Sequence, residues 1–339
     1  MMDLAVIARF REGRGRLGDG TFSRQIRSTD SNGRCRAGRI PGADRAVTCG
    51  FRELRIAGFF DGVDGRMGGV ALPCDEAVRF SIETPIGTRE VRIVYSTADL
   101  SPGLLAFVAD IRRGIERAAA TLRGIGEGDT ADITVWASDL PNIDDERGIA
   151  DAVAVPLAAV GSECVVVLYP GGDSAYIVAH EFFHCVQFKT VGAKTLFGAS
   201  DWWAEGSAEW FASLTFPGSS ASAGDVAMFD GVSRDTPLTS MNQESVVFFF
   251  WLGSNYGASI VMTLMRAMPD GGSTAQQDAL GGLLSAAAFQ QFAQDYLDRN
   301  ISQPGGRLIP SDPFMGNVYV WVGSGEHSLR AERFVLARF

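Results

Sequence analysis

The hydrophobic pattern changes period several times along the chain. After Val47, short alternating runs predict strands at ELRIAGFF (53–60), VRFSIET (78–84) and REVRIVYS (89–96). Pro85-Ile86-Gly87 between the last two predicts a hairpin turn. LLAFVADIRRGIERAAATLRGI (104–125) then repeats its apolar positions at three and four, the period of an amphipathic helix. ADITVWAS (131–138) and ECVVVLYP (163–170) read as strands, and the unbroken apolar run of the second suits a strand buried on both faces. The segment between them, with Asp144-Asp145-Glu146, reads as a loop.

Gly171-Gly172-Asp173 stops the second strand, and Asp173 is placed to cap a helix running to about Gly192. Further helices are predicted from Asp201 to before Pro217-Gly218 and over Glu244–Met268, with a break near Gly253–Gly257. A last helix is AAAFQQFAQDYLDRN (286–300). VYVWVG (318–323) and ERFVLARF (332–339) look like strands. Strand, helix, strands, then helices make an α+β layout. Residues 1–45, rich in Gly, Arg, Ser and Asp and without a period, are expected to be poorly ordered or a non-native leader. Residues 46–96 form a β-rich segment, and 301–339 a β-rich tail.

Composition narrows the function. The net charge of −10 argues against nucleic acid, which needs a basic footprint. No run approaches the ~20 apolar residues of a membrane helix, and the start holds too few apolar residues for a secretory leader. Localisation is therefore open, with an exported form conceivable if the true start lies elsewhere. The oligomeric state is equally open. Cys35, Cys49, Cys74, Cys164 and Cys185 match no zinc-knuckle or CxxC spacing. Cys49 and Cys74 could pair in an exported form; otherwise five reduced, mostly buried thiols are expected.

Of three histidines, two fall in AHEFFHCVQ (179–187). His180 and His184 are i and i+4, so both rings leave one helix face with Cβ atoms roughly 5–6 Å apart. That suits two imidazoles closing on one zinc ion. Glu181 stands beside rather than on that face, where a general base takes a proton from water. The competing reading is two core histidines bonded to carbonyls. A carboxylate in a helix apolar all round (Ile177, Val178, Phe182, Phe183, Val186, Phe188) counts against it. Gln187 and Thr190 are poor third ligands, and Cys185 projects about 100° from His184, into the core. Ser174 and Ser207 lack the G-x-S-x-G elbow of a serine hydrolase.

Downstream, DWWAEGSAEWF (201–211) completes a pattern: H-E-x-x-H, about twenty residues, then W-x-x-E-G-x-A-E. Over roughly Val91 to Asn300 this resembles the gluzincin zinc peptidases. The resemblance implies a zincin-like domain over 91–300, a mixed sheet packed on the active-site helix and followed by a helical subdomain. It implies one zinc ion held by His180, His184 and Glu205, with Glu181 as general base. Glu209 falls where the family often keeps a carboxylate bonded to the first histidine. Trp202, Trp203 and Trp210 are expected to pack.

Two features depart from the family. No G-x-M-E-N stretch precedes His180, so trimming from a free amino end has no support. The family's oxyanion tyrosine would fall near Asn242, which cannot serve in the same way; Tyr176, Tyr256 and His327 are alternatives by residue type only. The expected activity is zinc-dependent peptide hydrolysis, the substrate extended along an edge strand supplied by ITVWAS or ECVVVLYP. The alternatives are a non-peptide amide or ester hydrolase on the same scaffold, or a catalytically silent zincin used as a binding module.

Overall fold

The computed structural model describes residues 77–95, 102–137, 144–145, 148–149, 152–156, 163–168, 173–192, 201–233, 236–269, 273–306 and 308–309. The readings for residues 1–76, for the strands of the tail and for His327 lie outside the described residues. The described chain divides into two compact units. One takes the residues up to Glu83, Thr88–Glu116 and Thr130–Cys185; the other takes Thr84–Gly87, Arg117–Asp129 and the residues from Val186 on.

The first unit is built on a five-stranded sheet. Its strands are β1 (Ala77–Thr84), β2 (Gly87–Val94), β3 (Asp132–Ala137), β6 (Ala152–Pro156) and β7 (Glu163–Leu168), in the order β1-β2-β3-β7-β6. Between β3 and β6, two residue pairs form a small ladder, β4 (Asp144–Asp145) and β5 (Gly148–Ile149). β2, β3 and β7 run parallel, and β6 returns antiparallel to β7. The apolar run of β7 is explained: the strand is paired on both sides, and Cys164, Val165, Val166 and Leu168 are buried.

That order corrects two expectations. Neither ITVWAS nor ECVVVLYP is an edge; among the described residues the edges are β1 and β6. The acidic segment between β3 and β7 is not merely a loop, since it contains β6. Alternating Ala and Val with a terminal Pro156 is a weak strand signal, but proline suits an edge strand that lacks one neighbour.

Helix α1 (Pro102–Ile125) buries Phe107, Val108, Ile111, Ile115, Ala118, Ala119 and Leu122, the stripe its period predicts. On α1, Gly114 lies against helix α2 (Ser174–Val191): a Cβ there would stand 2.2 Å from Val178 Cγ1 and 2.6 Å from the Ala175 carbonyl oxygen. The absent side chain is what lets the two helices approach this closely. Cys164 on β7 and Cys185 on α2 form a disulfide, with Cα atoms 5.7 Å apart. The expectation of reduced thiols is therefore wrong for these two. A 21-residue separation and no motif gave no sign that a strand and a helix would bring them together.

The second unit is helical: α3 (Asp201–Thr215), α4 (Ala223–Val232), α5 (Val246–Tyr256), α6 (Ser259–Ala267), α7 (Ser273–Leu283) and α8 (Ala286–Leu297). Its core is aromatic. Trp202 packs on Phe248 and Phe249, and Phe292 on Phe229, Phe248 and Trp251. Two of its indole N–H groups are satisfied inside it: Trp202 Nε1 donates to Gln276 Oε1 at 2.8 Å and Trp251 Nε1 to Asp295 Oδ2 at 2.9 Å. Gly257, at φ 84°, separates α5 from α6, the break expected near Gly253–Gly257. Helices α4 and α7 were not anticipated. Each carries two glycines, which weaken local helix preference, and α7 is also poor in apolar residues.

Candidate metal centre

Helix α2 begins where Asp173 accepts the Tyr176 N–H on its carboxylate, at 3.3 Å, and the Ile177 N–H on its carbonyl, at 2.9 Å. It ends at Gly192, φ +80°, whose N–H donates to the Phe188 carbonyl. Between these caps the helix buries Ala175, Val178, Ala179, Phe182, Phe183 and Val186. The disulfide fixes its middle to the sheet at Cys185, next to His184.

His180 is buried and His184 half-buried. Their Nε2 atoms are 3.1 Å apart, with ring planes crossing at 74°. Two nitrogens held ~2.0–2.1 Å from one tetrahedral ion stand about 3.3 Å apart. The pair therefore needs almost no movement to share a cation. Glu181, the next residue, is also buried at 7% exposure.

Glu205 lies on helix α3. His180, His184 and Glu205 each offer one ligand atom, and these lie within 4.8 Å of one another. Two imidazoles and one carboxylate are the donor set of a catalytic zinc site with a coordination position left over. The residues present thus fit a zinc ion in chemistry, and the imidazole pair also in spacing.

The placement of α3 rests on residues not assigned a role from sequence. Gln187, fully buried, donates from Nε2 to the Ala204 carbonyl at 2.7 Å and to Ser207 Oγ at 2.9 Å. Gly206 has no room for a side chain: a Cβ would stand 2.0 Å from Ser245 Oγ and 2.9 Å from the Phe249 ring. Ser245 Oγ in turn donates to the Trp202 carbonyl. The available signal was a polar Gln187 in an otherwise apolar helix.

The surroundings are acidic. Glu181 and Glu209 are buried, and Glu205 and Asp201 are half-buried. The only basic residue of α2 is the exposed Lys189, and α3 has none. Burial, and then the Glu205 carboxylate, push Asp201 from 3.8 to about 7. Its Oδ1 is sealed from solvent and has no hydrogen-bond partner among the described residues.

The remaining candidates are dispersed. Trp202, Trp203 and Trp210 are buried packing residues. Ser207 is fully buried, accepts from Gln187 and contacts Met265 Sδ at 3.8 Å. Cys185 is in the disulfide, so its thiolate is not a competing ligand. Tyr176 is buried on α2, one turn before His180. Tyr256 is half exposed at the end of α5, its ring 5.6 Å from that of Trp251. Asn242 keeps a buried Oδ1 that has no hydrogen-bond partner among the described residues.

No protein-family model and no curated protein matches the chain. Among solved structures it is similar to a variant of a two-domain M1 zinc metallopeptidase bound to L-arginine (14% identity, TM-score 0.40). It is also similar to such a variant bound to L-tryptophan (14% identity, TM-score 0.36). Each match covers 64% of this chain and 51% of the other, so the chain spans about half the length of the structures it matches.

Proposed function

We propose that this chain is a zinc-dependent peptidase of the gluzincin type. His180, His184 and Glu205 would hold one zinc ion, Glu181 would be the general base, and Glu209 would orient the His180 ring. The observation that carries this reading is the convergence of two imidazoles and a carboxylate within 4.8 Å, with a buried glutamate following the first histidine.

When bound, zinc supplies Lewis acidity, which lowers the pKa of water from ~15.7 toward about 7 and polarises a carbonyl oxygen. Glu181 accepts the proton of the attacking water on its carboxylate and returns it to the nitrogen of the leaving amine. Glu209 accepts a ring N–H of His180 and so fixes which nitrogen is left to bind the ion. Of the two sheet edges, β6 borders β7, the strand that precedes α2 in the chain. An extended peptide would pair with β6 through main-chain hydrogen bonds.

The test is zinc content together with cleavage of a peptide mixture, with and without chelator, for wild type and Glu181→Gln. The variant should keep its zinc and lose about 10²–10⁴-fold in cleavage. Equal, negligible cleavage by both proteins would instead identify a binding module. Cleavage of esters or non-peptide amides alone would identify the other hydrolase class.

A further inference from the structure

Gln187 lies on the same face of α2 as the two histidines. His180, Gln187 and His184 are at i, i+7 and i+4, within about 60° of arc at 100° per residue. Its side chain is wholly enclosed, and both amide hydrogens are used. One goes to the Ala204 carbonyl, the residue before Glu205. The other goes to Ser207 Oγ, two residues after it. The acceptors therefore bracket Glu205 along α3.

A helix docked on another by apolar contacts alone can slide or roll by a fraction of a turn at little cost. A two-pronged amide fixes both motions at once, because its donors are directional. The pinned stretch is the one carrying Glu205. Ser207 is held from its other side by the contact of Oγ with Met265 Sδ at 3.8 Å, and Gly206 between them is wedged against Ser245 and Phe249.

We infer that Gln187 is a positioning residue of the metal centre: its side-chain amide sets the reach of Glu205 toward the ion by holding α3 at Ala204 and Ser207. This rests on the zinc reading above. It assigns a function to a position that the ligand pattern leaves unused, and explains the full burial of its amide.

The experiment compares zinc affinity, by competition with a chromogenic chelator, in wild type, Gln187→Met, Ser207→Ala and Thr190→Val. Methionine keeps the length of glutamine and removes both donors. Ser207→Ala removes one acceptor and is a small change should Gln187→Met fail to fold. Thr190, whose Oγ1 donates to the Val186 carbonyl on the same helix at 2.7 Å, is the control. Affinity should fall about ten-fold or more in Gln187→Met, within the 10–100-fold range for residues that orient ligands. It should fall by less in Ser207→Ala and stay unchanged in Thr190→Val. Folded Gln187→Met, or Ser207→Ala where the former does not fold, binding zinc as tightly as wild type would overturn the inference and leave the zinc reading intact. An equal loss in Thr190→Val would overturn it as a non-specific effect of perturbing α2. Wild type without zinc affinity would overturn the zinc reading itself, and the inference with it.

Discussion

Asp201 opens α3 one turn before Glu205, and its carboxyl is neutral over much of the acid range. Its folded pKa of about 7 lies above the ordinary 3.8. Below 3.8 the folded and unfolded chains both hold the proton, and the group does not bias folding. Between about 4 and 7 only the folded chain holds it, so stability falls as pH rises; above 7 the full cost is present. Removing the charge should relieve that cost. In the presence of chelator, Asp201→Asn should therefore gain thermal stability relative to wild type as the pH goes from 5 to 8; a constant difference would refute this. Chelator matters because a cation on Glu205 would offset the repulsion. At Gly206 the prediction is steric. Gly206→Ala places a methyl against Ser245 and Phe249 and should cost about 1–3 kcal/mol in denaturant unfolding. His180, Glu181 and His184 could be singled out in the sequence because their proposed roles depend on spacing within one helix, and Glu205 because the two-segment pattern resembles a known family. Gln187, Gly206 and Ser245 could not, because theirs depend on which helix packs against which.

At the scale of elements, the disulfide and the α1–α2 crossing hold the histidine helix to its sheet. Closing a loop of 21 residues limits the unfolded chain by about 3 kcal/mol. Cys164→Ala with Cys185→Ala should lower unfolding stability by that order, read as a shift in denaturant midpoint under non-reducing conditions; an unchanged midpoint would mean the bond does not form in solution. Gly114→Ala should cost about 1–3 kcal/mol, because the added Cβ meets the Ala175 backbone, which cannot step aside as a flexible side-chain end can. The long elements were readable: α1 by its stripe, α2 by its caps, α3 by its limits, and β7 by its unbroken apolar run. β6, α4 and α7 were not. Their sequences are short or glycine-bearing, and they owe their conformation to partners far along the chain. The sheet edges were misjudged for a related reason, since strand order is a property of pairing and leaves little trace in any one strand.

For the whole molecule, an α+β plan with strands preceding a helical part follows from the order of periods, and the structure has it. Among the described residues no helix is long and apolar enough to cross a membrane. The central claim is that side chains of two helices meet on one divalent ion. It is tested most directly by counting zinc in purified wild type and Glu205→Ala. The account predicts one zinc per wild-type chain and a loss of affinity in Glu205→Ala beyond the 10–100-fold typical of residues that only orient ligands. Wild type without zinc, or a folded Glu205→Ala that holds it as tightly, would contradict the account.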